Sequence, residues 1–330
     1  MNGNIEYDIK YQKKIDGLLN SNKRLNGFYS FIGDKSISTI YNYLLDVNGF
    51  LTYIGDKSLD QLNIDDFAGY MMKIQKNQHG EKTTSSYRIA VYSALKKYGK
   101  YLVASNQLSK NPMDYIDRPK SIDTQKTIEK REIGYLSKKE IPKYITTVEC
   151  GAGTKRSINR QKQWKERDLA IVMLFLNTGI RCSALMKIDV NSIDFEEKVL
   201  TVTDKESKCN TYDLSDEVLD IIKAWMIKRE ILLDGKNVDA LFISNRRNRI
   251  DQKSIYNIVK KYASNIKDKH ITPHKLRATY GTQLYDATRD IYFVQECMKH
   301  NNPKTTELYI RGNKNQTKKA SDIMKNITIK

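Results

Sequence analysis

The chain has 330 residues, which suits two ordinary domains, and its 57 Lys and Arg residues against 39 Asp and Glu residues give a formal charge of +18. That excess favours a polyanionic partner, with nucleic acid as the first choice and an anionic membrane surface as a distant second. The apolar runs are too short for a membrane helix and residues 1–20 lack the apolar core of a secretory signal, so we expect a cytoplasmic protein without a membrane span.

The N-terminal third is predicted to be a polar start followed by a compact helical domain. Residues 1–26 are rich in Lys and Asn and are expected to form a short arm or a frayed helix. Apolar residues then recur every three or four positions, which predicts amphipathic helices. These helices are expected after Ser36, after an Asp65 N-cap, from about Thr83 to Ala104, and after Asn111-Pro112.

Two stretches in the middle of the chain lack periodicity. Residues 117–132, DRPKSIDTQKTIEKRE, are charged and contain Pro119, which is typical of an exposed linker between domains. The basic stretch between Cys150 and Trp164, GAGTKRSINRQKQ, is predicted to be a loop. No GK[ST] follows its GxG, so it is not a phosphate-cradling P-loop.

The C-terminal part is predicted to be mainly helical around one small hairpin. Gly179 ends the first helix as a left-handed residue, and alternating β-branched positions predict the hairpin. The predicted elements are helix 167–177, a short helix from Arg181 to Ile188, a hairpin over 198–214 with its tip near Glu206-Ser207, helices 216–233 and 252–264, and two helices opened by Thr272-Pro273 and Asn302-Pro303.

The cysteines are widely spaced and form no CxxC pair. This spacing predicts reduced thiols, with neither a disulfide framework nor a structural zinc site. The four residues are Cys150, Cys182, Cys209 and Cys297.

Several basic residues stand where an anion could bind. His274 and Arg277 share one face in the first turns of the helix opened by Pro273, where free N–H groups favour an anion. The alternative is that His274 only caps the helix and Arg277 is a surface charge. Arg181 follows the Gly179 turn in an apolar neighbourhood, so it needs either a ligand or a buried salt-bridge partner.

Four segments in order resemble the motifs of the tyrosine recombinase (phage integrase) family. They are NTGIRCSAL at 177–185, VTDKESK at 202–208, HKLRATYGT at 274–282 and MKHNNPKTTELYI at 298–310. The family pattern has an Arg after a TG turn, a hairpin Lys, H-x-x-R, a further His, and a Tyr nine residues after that His. The matching positions are Arg181, Lys205, His274, Arg277, His300 and Tyr309.

The resemblance is not complete. Ala184 stands where relatives usually carry an acidic residue three positions after the first Arg, so Arg181 must be held in some other way. Lys299 stands where Gly often precedes the His, and Arg311 follows the Tyr by two where many relatives have His. No catalytic side chain is lost, and the Ala184 change concerns activation and regulation more than the type of reaction.

The resemblance implies transesterification at a DNA phosphodiester without a metal or other cofactor. Tyr309 would attack phosphorus to give a 3′-phosphotyrosyl enzyme, with His274 as proton acceptor and with Arg181 and Arg277 on the non-bridging oxygens. Lys205 would protonate the leaving 5′ oxygen, with Lys208 as the fallback, and His300 would bind the phosphate. Each hairpin lysine, taken alone, is more typical of a solvated side chain, since most hairpin lysines are only solvated.

The resemblance also implies a mainly α fold and a domain order. We expect an N-terminal arm at 1–26, a helical, SAM-like core-DNA-binding domain at 27–118, a linker at 119–135, a mostly helical catalytic domain with a small antiparallel sheet at 136–312, and a basic tail at 313–330 that docks on a neighbouring subunit or frays. The protein would act in the cytoplasm, associated with the nucleoid.

The implied partner is double-stranded DNA carrying a specific recombination site. A homotetramer, formed on DNA from monomers or weak dimers, would exchange strands through a Holliday junction, with an accessory directionality factor as a further candidate partner. Two alternatives remain at this point. One is a type IB topoisomerase or telomere resolvase, and the other is a non-catalytic DNA-binding regulator.

Overall fold

The computed structural model describes residues 2–120, 134–203, 209–266 and 269–299, with the side chains of residues 2–7 and 265 left out. The chain divides into two compact units, Met1–Thr124 and Gln125–Lys330. Several predicted features lie outside the described residues: most of the 119–135 linker, the hairpin tip, the helix at Asn302-Pro303 and the 313–330 tail. Among the described residues, no helix is both long enough and apolar enough to cross a membrane.

The N-terminal unit is built from helices. They are α1 (Asn2–Ser21), α2 (Asn26–Phe31), α3 (Ile37–Ile54), α4 (Ile64–Lys73) and α5 (Ser85–Ala104), with short 3-10 turns at Lys23–Leu25, Leu59–Gln61 and Pro112–Asp114. Their buried faces enclose an aromatic core. The ring centroids of Phe50 and Phe67 are 4.5 Å apart, and those of Phe28 and Tyr98, which meet edge to face, are 5.1 Å apart. The structure thus confirms the helices that the periodicity predicted between Ser36 and Ala104.

Two details of this unit differ from the prediction. The start of the chain is not a separate arm, because α1 packs on α3 and buries Ile15 completely in the aromatic core. A single narrow apolar stripe is enough for a helix that packs against few neighbours, and a mostly polar composition hides it. The N-cap of α4 is Asn63 rather than Asp65, with its side chain accepting from the amides of Asp65 and Asp66.

The C-terminal unit combines helices with one three-stranded sheet. The helices are α6 (Glu140–Cys150), α7 (Lys155–Lys162), α8 (Lys165–Thr178), α9 (Cys182–Leu185), α10 (Asp216–Leu233), α11 (Gln252–Tyr262), α12 (Pro273–Thr288) and α13 (Ile291–Cys297). Helix α8 lies at the centre and packs against α6, α10 and α12. Its buried residues, with those of the helices around it, form one core.

The sheet is antiparallel with the strand order β1 (Ile193–Asp194), β2 (Val199–Thr203), β3 (Cys209–Asp213). Strands β2 and β3 form the predicted hairpin, and their last described pair is Thr203 with Cys209. The two-residue strand β1 was not predicted, because two residues carry no periodicity. The mainly α fold with a small antiparallel sheet is confirmed.

The basic stretch before Trp164 is a helix and not the predicted loop. Gly151 and Gly153, with φ of +88° and +93°, form the turn that leads into α7. The Thr154 side chain then accepts from the Ser157 amide as an N-cap. The loop prediction was wrong because α7 has one apolar residue, Ile158, and therefore shows no apolar period.

Candidate active site

The turn after α8 brings Arg181 to the start of a helix. Gly179 ends α8 with φ +58° and ψ +21°, the left-handed conformation that glycine adopts without cost. Arg181 then occupies the N-cap position of α9, and its Nη2 donates to the Lys299 carbonyl at 2.9 Å. Ala184 is buried in the core at the position where the family usually has an acid. The Lys299 carbonyl is therefore one of the groups that orient Arg181.

Arg277 is buried beside the same turn. Its side chain, on α12, is only 4% exposed. Nη1 donates to the carbonyl of Gly179 and Nη2 to the carbonyl of Met298. The hypothesis that Arg277 is a solvated surface charge is wrong, because a guanidinium buried to this extent needs fixed acceptors, and two backbone carbonyls supply them.

Residues 298 and 299 connect the two arginines. The carbonyls of Met298 and Lys299 are consecutive along the chain and accept from Arg277 and Arg181 respectively. Lys299 has φ +51°, a conformation that costs a non-glycine residue roughly 1–2 kcal/mol. This left-handed turn explains why a glycine suits the position, and it lies directly before His300.

Gly179 is also fixed by packing. A Cβ at this position would lie 2.4 Å from the ring of Tyr280, one turn after Arg277 on α12. Burial raises the pKa of Tyr280 to about 12, and its hydroxyl shares a hydrogen bond with Cys297. The Tyr280 ring therefore packs directly against the Gly179 turn, whose carbonyl accepts from Arg277.

His274 lies in the first turn of α12, after the Thr272 N-cap and Pro273. It keeps an exposed face. Desolvation by the surrounding protein lowers its pKa, and the positive charges of Lys275 and Arg277 lower it further. Since a lowered pKa favours the neutral ring, the imidazole near neutral pH can accept a proton.

Half of the predicted site can be located. The structure brings Arg181 and Arg277 together around residues 298–299 and places His274 three residues before Arg277 on the same helix. Lys205, Lys208, His300 and Tyr309 lie outside the described residues. The carbonyls of Gly179, Met298 and Lys299 were not predicted, because every residue carries a carbonyl and no sequence signal marks those that accept.

The cysteines and acids of the described residues offer no metal centre. No group of three His, Cys, Asp or Glu side chains there could hold an ion. Cys182, next to Arg181, is half-buried, and its desolvation raises its pKa to about 12, so this thiol stays protonated. The structure forms no disulfide between Cys150, Cys182, Cys209 and Cys297.

Sequence comparisons identify relatives of both units. Residues 136–316 match the Phage integrase family, and residues 28–106 match the phage integrase N-terminal SAM-like domain. Tyrosine recombinase XerS of Streptococcus agalactiae is 30% identical over 267 residues, which cover 76% of this chain and 74% of that protein. Tyrosine recombinase XerC of Caldanaerobacter subterraneus is 28% identical over 267 residues, covering 79% and 68%.

Solved structures share the fold. XerH site-specific recombinase, bound to palindromic difH substrate in a post-cleavage complex, superposes with a TM-score of 0.70 at 19% identity, covering 95% of this chain and 89% of that one. A lambda integrase dimer bound to a COC′ core site gives a TM-score of 0.63 at 15% identity, covering 86% and 93%.

The family match and the fold together define the class of protein. The chain is a tyrosine site-specific recombinase, an enzyme that breaks and rejoins DNA. It belongs to the phage integrase family, because the match to that family over residues 136–316 covers more than half of the chain.

Proposed function

We propose that this recombinase cleaves double-stranded DNA at a specific site through Tyr309 and rejoins it to a second strand. The phenol attacks the scissile phosphorus, which gives a 3′-phosphotyrosyl bond and a free 5′ hydroxyl. That bond retains the energy of the broken ester, so the step consumes neither ATP nor a reductant. A 5′ hydroxyl from the partner duplex then reverses the attack.

The arginines stabilise the charge that develops on the two non-bridging oxygens. The observation that carries the proposal is the convergence of Arg181 and Arg277, distant in sequence, on the consecutive carbonyls of residues 298 and 299. Groups fixed before the substrate arrives need no reorganisation in the transition state. Guanidinium groups suit the task because they stay charged and hold two oxygens at once.

His274 and the hairpin lysine handle the protons. The lowered pKa keeps the His274 ring neutral, which supports its role as acceptor of the Tyr309 proton. Lys205 protonates the 5′ oxygen as it leaves, with Lys208 as the alternative donor, and His300 binds the phosphate. Strands β2 and β3 lead to and from residues 204–208, which supports a hairpin as the carrier of the lysine.

DNA is the partner that both charge and relatives support. The net charge of +18 suits neutralisation of backbone phosphates, and XerH and lambda integrase are described in complexes with DNA sites. Residues 27–118 would bind the core of the site, residues 136–312 would carry the chemistry, and residues 119–135 would link the two. The protein would act as a tetramer on paired sites, with the 313–330 tail of each subunit on a neighbouring subunit. It would work in the cytoplasm, associated with the nucleoid.

The test is a covalent trap with Tyr309→Phe. The variant loses only the hydroxyl, so it should bind duplex DNA like the wild type and form no denaturation-resistant adduct. Tyr292→Phe is the matched control, since Tyr292 is 78% exposed and should keep the adduct. Tyr280 is a poor alternative nucleophile because burial raises its pKa to about 12, which makes its phenol harder to deprotonate than an ordinary one.

Two results would contradict the proposal. An adduct that persists in Tyr309→Phe would move the nucleophile to another residue. An adduct absent from the wild type, on any duplex it binds, would favour the non-catalytic DNA-binding regulator. Joined products recovered from two DNA molecules distinguish the recombinase from a topoisomerase, which reseals its own strand.

A further inference from the structure

Helix α7 carries charges that its own stability does not explain. Its sequence, KRSINRQK, contains four basic residues and no acidic one. Lys155 and Arg156 occupy the first turn, where the helix dipole disfavours cations. Arg156 and Arg160 are four residues apart on one face, where like charges repel. Arg160 and Lys162 suit the dipole of the last turn, so the unfavourable charges are those of the first turn and of the Arg156–Arg160 pair. This face of the helix is therefore a candidate for binding an anion.

The helix forms one wall of a basic cavity of about 320 Å³, here called the α7 cleft. Arg156 and Arg160 line it from α7, Arg167 lines it from α8, and Lys261 lines it from α11. The single acid in the lining is Asp168. Four positive charges therefore face one negative charge.

Asp168 is fully engaged at the back of the α7 cleft. One of its oxygens accepts from Arg167 Nε at 3.0 Å and Nη2 at 2.8 Å. The other accepts from Lys261 at 3.0 Å and from the Tyr262 hydroxyl at 2.7 Å. With both oxygens occupied, this buried carboxylate neutralises Arg167 and Lys261 in part and is not available to the arginines of α7.

The α7 side of the cleft is also held in place. Gln161 clamps α7 to the preceding turn, donating to the Ala152 carbonyl at 2.7 Å and accepting from the Ala152 amide at 3.0 Å. Arg156 and Arg160 are exposed. Across the described residues, neither of them forms an ion pair with a carboxylate. The two exposed arginines of α7 thus share the cavity with Arg167 and Lys261, whose common carboxylate, Asp168, is already engaged.

We propose that the α7 cleft binds a phosphate group other than the one that reacts. Arginine pairs suit tetrahedral oxyanions because each guanidinium can donate to two oxygens, and the hydroxyls of Thr154 and Ser157 line the same cavity. The phosphate comes either from the DNA backbone or from free inorganic phosphate. The first source rests on the proposed function, whereas the second does not depend on it.

The experiment compares two double variants with the same loss of charge. Arg156→Gln with Arg160→Gln removes the exposed pair and keeps good helix formers, so α7 should still fold. Lys223→Gln with Lys228→Gln on α10 is the matched control. Binding of a mixed-sequence duplex is measured over a series of KCl concentrations. Separately, inorganic phosphate is added at constant ionic strength and the shift in Tm is recorded.

For a DNA phosphate, the slope of log affinity against log salt should decrease in magnitude by about 0.9 in the α7 variant only, the amount that one lost phosphate contact removes. For free phosphate, the Tm increase should occur in the wild type and the control and be lost in the α7 variant. The proposal is overturned if neither readout separates the variants, the result expected if α7 is only solvated or faces an acidic protein segment. An equal decrease of slope in the control, together with an unchanged Tm increase in the α7 variant, also overturns it.

The failure of this proposal can be told apart from that of the proposed function. The covalent adduct on saturating DNA depends on Tyr309, whereas the slope and the Tm shift do not require cleavage. If the α7 variant keeps the wild-type slope and Tm shift, the proposal for the α7 cleft fails. If the wild-type protein forms no covalent adduct, the proposed function fails.

Discussion

Two groups of arginines in the C-terminal unit differ in what holds them. Arg277 is buried and donates to the carbonyls of Gly179 and Met298, while Arg181 donates to that of Lys299. On α7, Arg156 and Arg160 are exposed and form no ion pair with the described carboxylates. The backbone has fixed the direction of the first group before any ligand arrives, whereas the second group supplies charge without fixed geometry.

This difference predicts which step each group serves. Oriented donors act on charge that develops during the reaction, so their loss should slow cleavage more than it weakens binding. Flexible surface charges neutralise phosphates, so their loss should weaken binding and change its salt dependence. Variants of the first group should therefore lower mainly the cleavage rate, and variants of the second group mainly the affinity for DNA.

The largest expected effect comes from the oriented group. Arg181→Ala should reduce the single-turnover cleavage rate on saturating DNA by about 100- to 1,000-fold, with a modest loss of affinity, because one donor to the transition state is gone. Arg277→Ala should behave alike in rate. The α7 double variant is the control and should cleave at the wild-type rate once DNA is saturating.

Equal losses of affinity and rate in Arg181→Ala would contradict the comparison. Arg181 would then be an ordinary phosphate contact like those proposed for α7. Because Arg277 is buried, its variant must first show a wild-type unfolding transition before its rate is interpreted.

The sequence predicts the side chains of the site better than it predicts their supports. Periodicity and capping residues place α8 and α12, and hence Arg181, His274 and Arg277, close to where they are found. The carbonyls that orient the arginines depend on the fold bringing residue 299 to residue 181, which no local pattern encodes. Helix α7 was missed for the opposite reason, since its cap is present but its apolar face is a single residue.

A smaller effect is expected at the turn that supports Arg277. Gly179→Ala should lower the free energy of unfolding by about 2–4 kcal/mol, because φ of +58° strains alanine and its Cβ would meet the Tyr280 ring at 2.4 Å. Gly235→Ala is the matched control, with φ of +79° and no atom within 4 Å of its Cβ, and should cost only about 1–2 kcal/mol.

The measurement is urea unfolding followed by tryptophan fluorescence. Both tryptophans, Trp164 and Trp225, lie in the C-terminal unit, so the signal reports on that unit alone. Equal costs for the two glycine variants would show that Tyr280 moves aside freely. The Gly179 turn would then hold Arg277 through its backbone conformation and not through packing.

The smallest effect is expected at the second turn that faces the arginines. Lys299 has φ of +51°, a left-handed conformation that its Cβ makes unfavourable. Lys299→Gly should therefore raise the free energy of unfolding by up to about 1 kcal/mol. The gain is small because glycine also gains freedom in the unfolded chain, which offsets part of the relieved strain. Arg247→Gly, at φ of +59° in the same unit, is the matched control and should gain a similar amount by the same urea assay. A loss of stability in Lys299→Gly alone would contradict this account, because it would mean that the Lys299 side chain, and not only its carbonyl, stabilises the turn that orients Arg181.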